Sequence, residues 1–341
     1  MLKRTLIILG SILILAACFI VYKVYVGFLK PNVSDQESYL YIPTGSNFED
    51  LMQLIGDSAM LQDTASFRWA AEFKEYPTHI KPGKYKLQTG MNNRQLINIL
   101  MSGMQEPVQF RFQNLRLRGQ FAKAIDNNLE PDSVSVMHYL SSDSVAASYG
   151  FDRESFFAMF IPNTYEFFWN TSIQDFFDRM HKEYQAFWNA ERLEKAEQIG
   201  LDPIEVSILA SIVKGEALHT DEMPQIAGLY MNRLERHMRL QADPTVIYAT
   251  QDFSIRRVLN KHLRTPSPYN TYIHYGLPPG PIMMPSIAAI DAVLNYAKHD
   301  YIYMCAKADF SGYHNFAKTV REHLINARAF QRALNQRNIK Q

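Results

Sequence analysis

The residue in this chain best placed for acid–base chemistry is Glu216. It closes the run ILASIVKGE, residues 208–216. In a helix Ile208, Leu209 and Ile212 share one face, and one further step of four reaches Glu216. A carboxyl where an apolar stripe should continue loses hydration when charged, so its pKa rises. A carboxyl that keeps its proton near neutral pH is suited to general-acid work. The competing reading is a glutamate at a fraying helix end, paired with a lysine or a backbone N–H. Lys214 lies off the stripe and is expected in solvent. Asp202 and Pro203 supply the N-cap and first position of this helix.

Downstream, Met223-Pro224 opens a second helix with Ile226, Leu229, Tyr230 and Leu234 as its stripe. Three stretches follow that are crowded with proline, glycine, asparagine and aromatics: MRLQADPTVIY, SPYNTY and GLPPGPI. Such composition fixes the backbone, and rigid loops with polar tips suit a binding groove. The groove candidates are Asn232, Gln241, Asp243, Thr245, Tyr248, Tyr269, Asn270 and Tyr272. His314, near the far end, either orients a ligand or braces a loop. Each candidate has a structural alternative: Asp243-Pro244-Thr245 also reads as a plain helix start, and Asn232 as a backbone brace.

The remaining elements must position these groups. The chain has 341 residues, 47% hydrophobic and 20% charged, enough for two domains with a sizeable core. A formal net charge of +1 gives no argument for nucleic acid. Cys18 and Cys305 do not suggest an intramolecular disulfide. No His or Cys pattern has metal-ligand spacing, so neither metal nor cofactor is expected.

Residues 1–30 carry Lys3 and Arg4 before an uncharged stretch, Thr5 to Tyr22, that resumes after Lys23 as VYVGFL. This reads as an uncleaved single-pass anchor with the bulk of the chain outside the cytoplasm. The alternatives are a cleaved signal peptide and a lipoprotein box, Leu15-Ala16-Ala17-Cys18, the latter weakened by the apolar residues after Cys18. Residues 37–112 read as a small α/β module. It has strands at Tyr39–Ile42 and Lys84–Leu87, and helices at about Phe48, at Thr64–Glu75 and at Arg94–Met101. Its order of strand, glycine-containing turn and short helix resembles LysM-like modules, which bind wall glycans. Between the modules, Val108–Phe112 and PNTYEF read as extended. Arg116–Asn128, Asp132–Leu140 and Arg153–Met159 read as helical, and Thr171–Gly200 as one long amphipathic region with Phe176, Phe177, Met180, Tyr184 and Phe187 on its inner side. The expected class is α+β: anchor, small module, and a larger mixed domain over 113–341.

Taken together, ILASIVKGE, MNRLERHMRLQADPTVIYA, SPYNTY, GLPPGPI, the terminal GYHNF and the earlier PNTYEF resemble the YceG-like (MltG) family of endolytic murein transglycosylases, over about Tyr39 to Ala329. The resemblance implies cleavage inside peptidoglycan glycan strands, between N-acetylmuramic acid and N-acetylglucosamine, leaving 1,6-anhydromuramic ends. It implies an inner-membrane enzyme trimming nascent strands near cell-wall synthases. The family's catalytic acid is the second of a Glu-Lys-Glu element, which here reads Lys214-Gly215-Glu216. Glu216 is thus the only acid left in that element. Asn163 stands where the family has Asp. Two other readings stay open: a non-catalytic wall-binding scaffold, and a muramidase that uses water with Asp243 or Glu222 as a second carboxylate.

Overall fold

The computed structural model describes residues 2–34 and 37–336; the last five residues of the expected larger domain lie outside that range. Helix α1 (Leu2–Val24) continues directly into a π-helical turn, Tyr25–Leu29. Lys3–Leu29 is a helical stretch of 27 residues, long and apolar enough to cross a membrane. The chain as a whole is mixed α+β. It divides into one unit of Met1–Phe110, Asn128–Pro131 and Tyr165–Ser172, and a second of Arg111–Asn127, Asp132–Thr164 and Ile173–Gln341.

In the first unit, β1 (Ser38–Ile42), α2 (Phe48–Ser58), α3 (Thr64–Phe73), β2 (Gly83–Leu87) and α4 (Asn93–Ser102) follow in order. β1 pairs antiparallel with β2, Ser38 opposite Leu87 and Ile42 opposite Gly83. Leu40 and Ile42 point inward while Tyr39 and Tyr41 are exposed, the two-residue alternation of a strand with one buried face. Asn47, Asp63 and Asn92 cap the three helices through their side chains, and Gly103 ends α4 in the left-handed conformation. Leu51, Ile55, Phe67, Leu96 and Ile97 close the core. β3 (Val108–Arg111) follows and pairs with a later strand, β4 (Thr164–Phe167), the extended part of PNTYEF.

The second unit runs α5 (Arg118–Asp126), α6 (Ser133–Leu140), α7 (Asp143–Ser148), α8 (Ile173–Phe187), α9 (Ala190–Gln198), α10 (Pro203–Glu216), α11 (Met223–Glu235), α12 (Asp243–Thr250), α13 (Ile287–Leu294), the strands β5 (Tyr303–Ala306) and β6 (His314–Ala317), and α14 (Val320–Gln336). The stretch 171–200 is two helices rather than one. Asn189 breaks it by accepting the N–H of Arg192 and so capping α9. Residues 155–159 form a 3-10 turn. Four helices, α9, α11, α12 and α13, pack on α10. It is therefore buried all round from Val206 to Val213, not along a single stripe. Leu209 and Ile212 are fully enclosed there. Removing either side chain to alanine costs about 2–5 kcal/mol. A helix held this firmly gives its terminal residue a fixed position.

Candidate active site

That terminal residue is Glu216. Asp202 and Glu205 form a capping box at the start of α10, and Ser211 accepts the N–H of Ile282, tying the GLPPGPI loop to its middle. Gly215 lets the chain of α12 approach the last turn: a Cβ there would stand 2.8 Å from Cβ of Pro244. Asp243 is thereby brought beside Glu216.

Glu216 lines a cleft of about 360 Å³ with Leu229, Tyr230, Arg233, Leu240, Gln241, Asp243, Tyr272, Met304, Cys305, Ala306 and His314. Tyr230, from α11, donates its phenol to Glu216 Oε1 at 2.9 Å. Burial pushes the Glu216 carboxyl from its ordinary 4.5 up to about 7, and the neighbouring Asp243 charge adds to this. The Tyr230 phenol and the backbone N–H of Asp243 oppose the rise, because both favour the charged form. The residue is only half-buried, since its cleft is open to solvent. The Asp243 carboxyl is itself pushed up by burial, against the pull of the Tyr272 phenol, which donates to Oδ1 at 2.7 Å.

Arg233, one turn on from Tyr230, is buried. Its guanidinium donates to the carbonyls of Ile302, Arg239 and Leu240 and to Gln241 Oε1. These acceptors are neutral and do not cancel its charge, and the residue lines the cleft. Glu222, outside the cleft lining, is buried and holds the lining residue His314 twice. Oε1 accepts the backbone N–H at 2.7 Å, and Oε2 lies 2.8 Å from Nδ1. This fixes the ring, with Nδ1 turned to the carboxylate. Cys305, on β5, also faces the cleft, and burial pushes its thiol up.

The cleft thus gathers Glu216, Gln241, Asp243, Tyr272 and His314 from the expected residues. The other five lie outside its lining, with partners elsewhere in the same unit. Asn232 donates to the carbonyls of His299 and Tyr301. Thr245 is buried, donating to Ala242 O and lying 2.8 Å from the Thr271 hydroxyl. Asn270 is buried and donates to the carbonyls of Leu263 and Thr265. Tyr269 donates to Glu154 and packs against Tyr248. Buried polar groups must find partners, and these found them within the protein. Lys214, expected in solvent, is half-buried. Tyr230, Arg233 and Cys305 are additions to the set. No cluster of three or more His, Cys, Asp or Glu placed to hold a metal occurs among the described residues.

A mixed α+β protein here sets one near-neutral carboxyl at a helix end, in a cleft with tyrosines, a buried arginine and a held histidine, an arrangement suited to proton transfer. Residues 40–329 match the YceG-like family model, and the chain belongs to that family. It is 28% identical over 317 residues to the endolytic murein transglycosylase of Bacillus subtilis (strain 168), covering 86% of each chain. It is 27% identical over 326 residues to the endolytic murein transglycosylase of Streptococcus pneumoniae serotype 2, covering 84% of this chain and 57% of that one. A solved YceG-like protein from Listeria monocytogenes superposes with a TM-score of 0.55 at 25% identity, over 86% of this chain and 99% of that one.

Proposed function

We propose that this chain is a membrane-anchored endolytic murein transglycosylase with Glu216 as its single catalytic acid and base. The carrying observation is a carboxyl raised to about 7 at the end of a rigid helix, inside a solvent-open cleft. The names of its relatives supply the substrate class.

Protonated Glu216 donates to the glycosidic oxygen as the bond from the muramic anomeric carbon breaks. The bonding pair leaves with the N-acetylglucosamine oxygen, and an oxocarbenium-like sugar remains. The hydroxyl on the sugar's sixth carbon closes onto the anomeric carbon, and the Glu216 carboxylate takes its proton. One group serves both steps because donation turns it into the base. The internal hydroxyl has a high effective concentration, so no water need enter. Tyr230 orients the Glu216 carboxyl. Asp243 raises its affinity for the proton. Gln241, Tyr272 and His314 offer polar contacts to the sugars. Asn232, Thr245, Tyr248, Tyr269 and Asn270 lie outside the lining.

In this reading residues 1–30 form the anchor of an inner-membrane protein whose remainder faces away from the cytoplasm. Residues 37–112 form a LysM-like module that grips glycan, a reading supported by the β1-α2-α3-β2 order with its antiparallel pair. Residues 113–341 form the catalytic domain, working on strands as synthases release them.

Incubation of the purified protein with uncrosslinked glycan strands, followed by mass spectrometry, tests the reaction. Fragments of intermediate length with anhydro ends are expected. Reducing ends, heavier by one water, would instead mark a muramidase using Asp243 as its second carboxylate, and intact strands a scaffold.

A further inference from the structure

The end of α1 is built into the first unit rather than joined to it by a linker. The carbonyl of Gly27, in the π-helical turn, accepts from Asn93 Nδ2, whose residue is fully buried. Asn93 Oδ1 in turn accepts from Asn32, and Asn32 bonds the backbone of Asp63 in both directions. The chain leaving the helix then forms bridges from Pro31 to Asn92 and from Val33 to Leu61. Gly27 has no room for a side chain: a Cβ would overlap the Trp69 ring on α3. Trp69 therefore lies within one turn of Leu29, where the apolar stretch ends.

Around that junction three rings meet. Phe28 lies 5.5 Å from both Trp69 and Phe73, and Trp69 lies 5.8 Å from Phe73. Phe73 is 70% exposed, the largest exposure of any phenylalanine in this unit. An apolar stretch of 27 residues is roughly 40 Å long as a helix, against about 30 Å of hydrocarbon, so its last turns reach the headgroups. Aromatic rings with one wet side favour that layer.

We propose that the α3 face bearing Trp69 and Phe73 sits in the headgroup layer of the bilayer that α1 crosses. The inference rests on the membrane-anchor reading. The occupant follows from continuity: a span clasped by Asn93 and Asn32 cannot leave the rings beside it anywhere but at its own outer interface. The first unit is then held on the membrane surface at two points, span and ring cluster, and cannot swing away as a tethered module would.

The test uses the full chain in phosphatidylcholine vesicles carrying bromines at carbons 6 and 7 of one acyl chain. The chain has 3 tryptophans, so the share of Trp69 is read as the difference between wild type and Trp69→Phe. That share is expected to fall two-fold or more in brominated vesicles. Phe73→Glu, which puts a charge on the same face at an exposed position, is expected to reduce that quenching without abolishing it, because Asn93 still holds Gly27 and Trp69 beside the span. Equal quenching of wild type and Trp69→Phe, with the protein still vesicle-bound after a high-salt wash, overturns the proposal and leaves the anchor standing. Recovery of the protein outside the vesicles overturns both.

Discussion

The phenol of Tyr230 donates to Glu216 Oε1 at 2.9 Å from a ring that is itself buried in the core around α10. The bond favours the charged carboxylate, while burial and the Asp243 charge favour the neutral acid. The balance leaves the Glu216 carboxyl at about 7, able to give a proton and take one back.

Tyr230→Phe removes a partner of the charged form, so the Glu216 pKa rises. A hydrogen bond to a charged group contributes about 1.5–3 kcal/mol, and one pH unit is about 1.4 kcal/mol. The alkaline limb of the kcat/KM profile on glycan strands should move up by about one unit. A limb that stays in place contradicts the assignment of that limb to Glu216.

Asp243→Asn acts in the opposite direction. With the neighbouring charge gone, Glu216 ionises more easily and the alkaline limb moves to lower pH. The same titration of rate against pH, run beside Tyr230→Phe, reads the sign directly.

Stability should show the same carboxyl from the other side. Its pKa is raised from 4.5 to about 7 on folding, so across that window the folded state holds a proton that the unfolded chain releases. Stability therefore falls as pH rises through the window. Glu216→Gln removes the penalty, and its gain, discounted for the open cleft, is about 1–3 kcal/mol above pH 7. Below 4.5 the gain disappears. Urea midpoints measured at both ends of the range check this, and a variant less stable than wild type at the alkaline end would refute it. Stability lost to keep an active group in place is a common trade.

Gly215→Ala forces a Cβ against Pro244, whose ring cannot swing aside, and so moves Asp243 away from Glu216. Misplacement by about 1 Å can cost roughly a hundred-fold in rate. Turnover should fall at least ten-fold while the melting temperature changes by only a few degrees.

Much of this was legible in residue order. The helix of Glu216, its Asp202 cap and the end of α4 at Gly103 follow from local rules, because caps and turns need particular side chains close in sequence. The family followed from several short elements in a fixed order. What local pattern missed is what distance in the chain conceals. Glu222 and His314 are 92 residues apart and meet only because the β5–β6 hairpin returns beside the start of α11. Tyr230 reads as one more member of an apolar stripe, and nothing local to Arg233 marks it for burial. They share one face of α11, one turn apart, and both turn out to be buried there. Asn270 and Thr245 are buried and bond inward, since polar residues in rigid loops can bond inward as well as face a ligand.

The central claim is that a single carboxyl both starts and finishes the reaction. The most direct measurement is the initial rate of anhydro-end formation on glycan strands by Glu216→Gln, in protein shown by circular dichroism to keep its fold. The account predicts a fall of at least about a thousand-fold, within the range set by loss of a general acid that is also the base. A rate within ten-fold of wild type, with the same anhydro products, would contradict it.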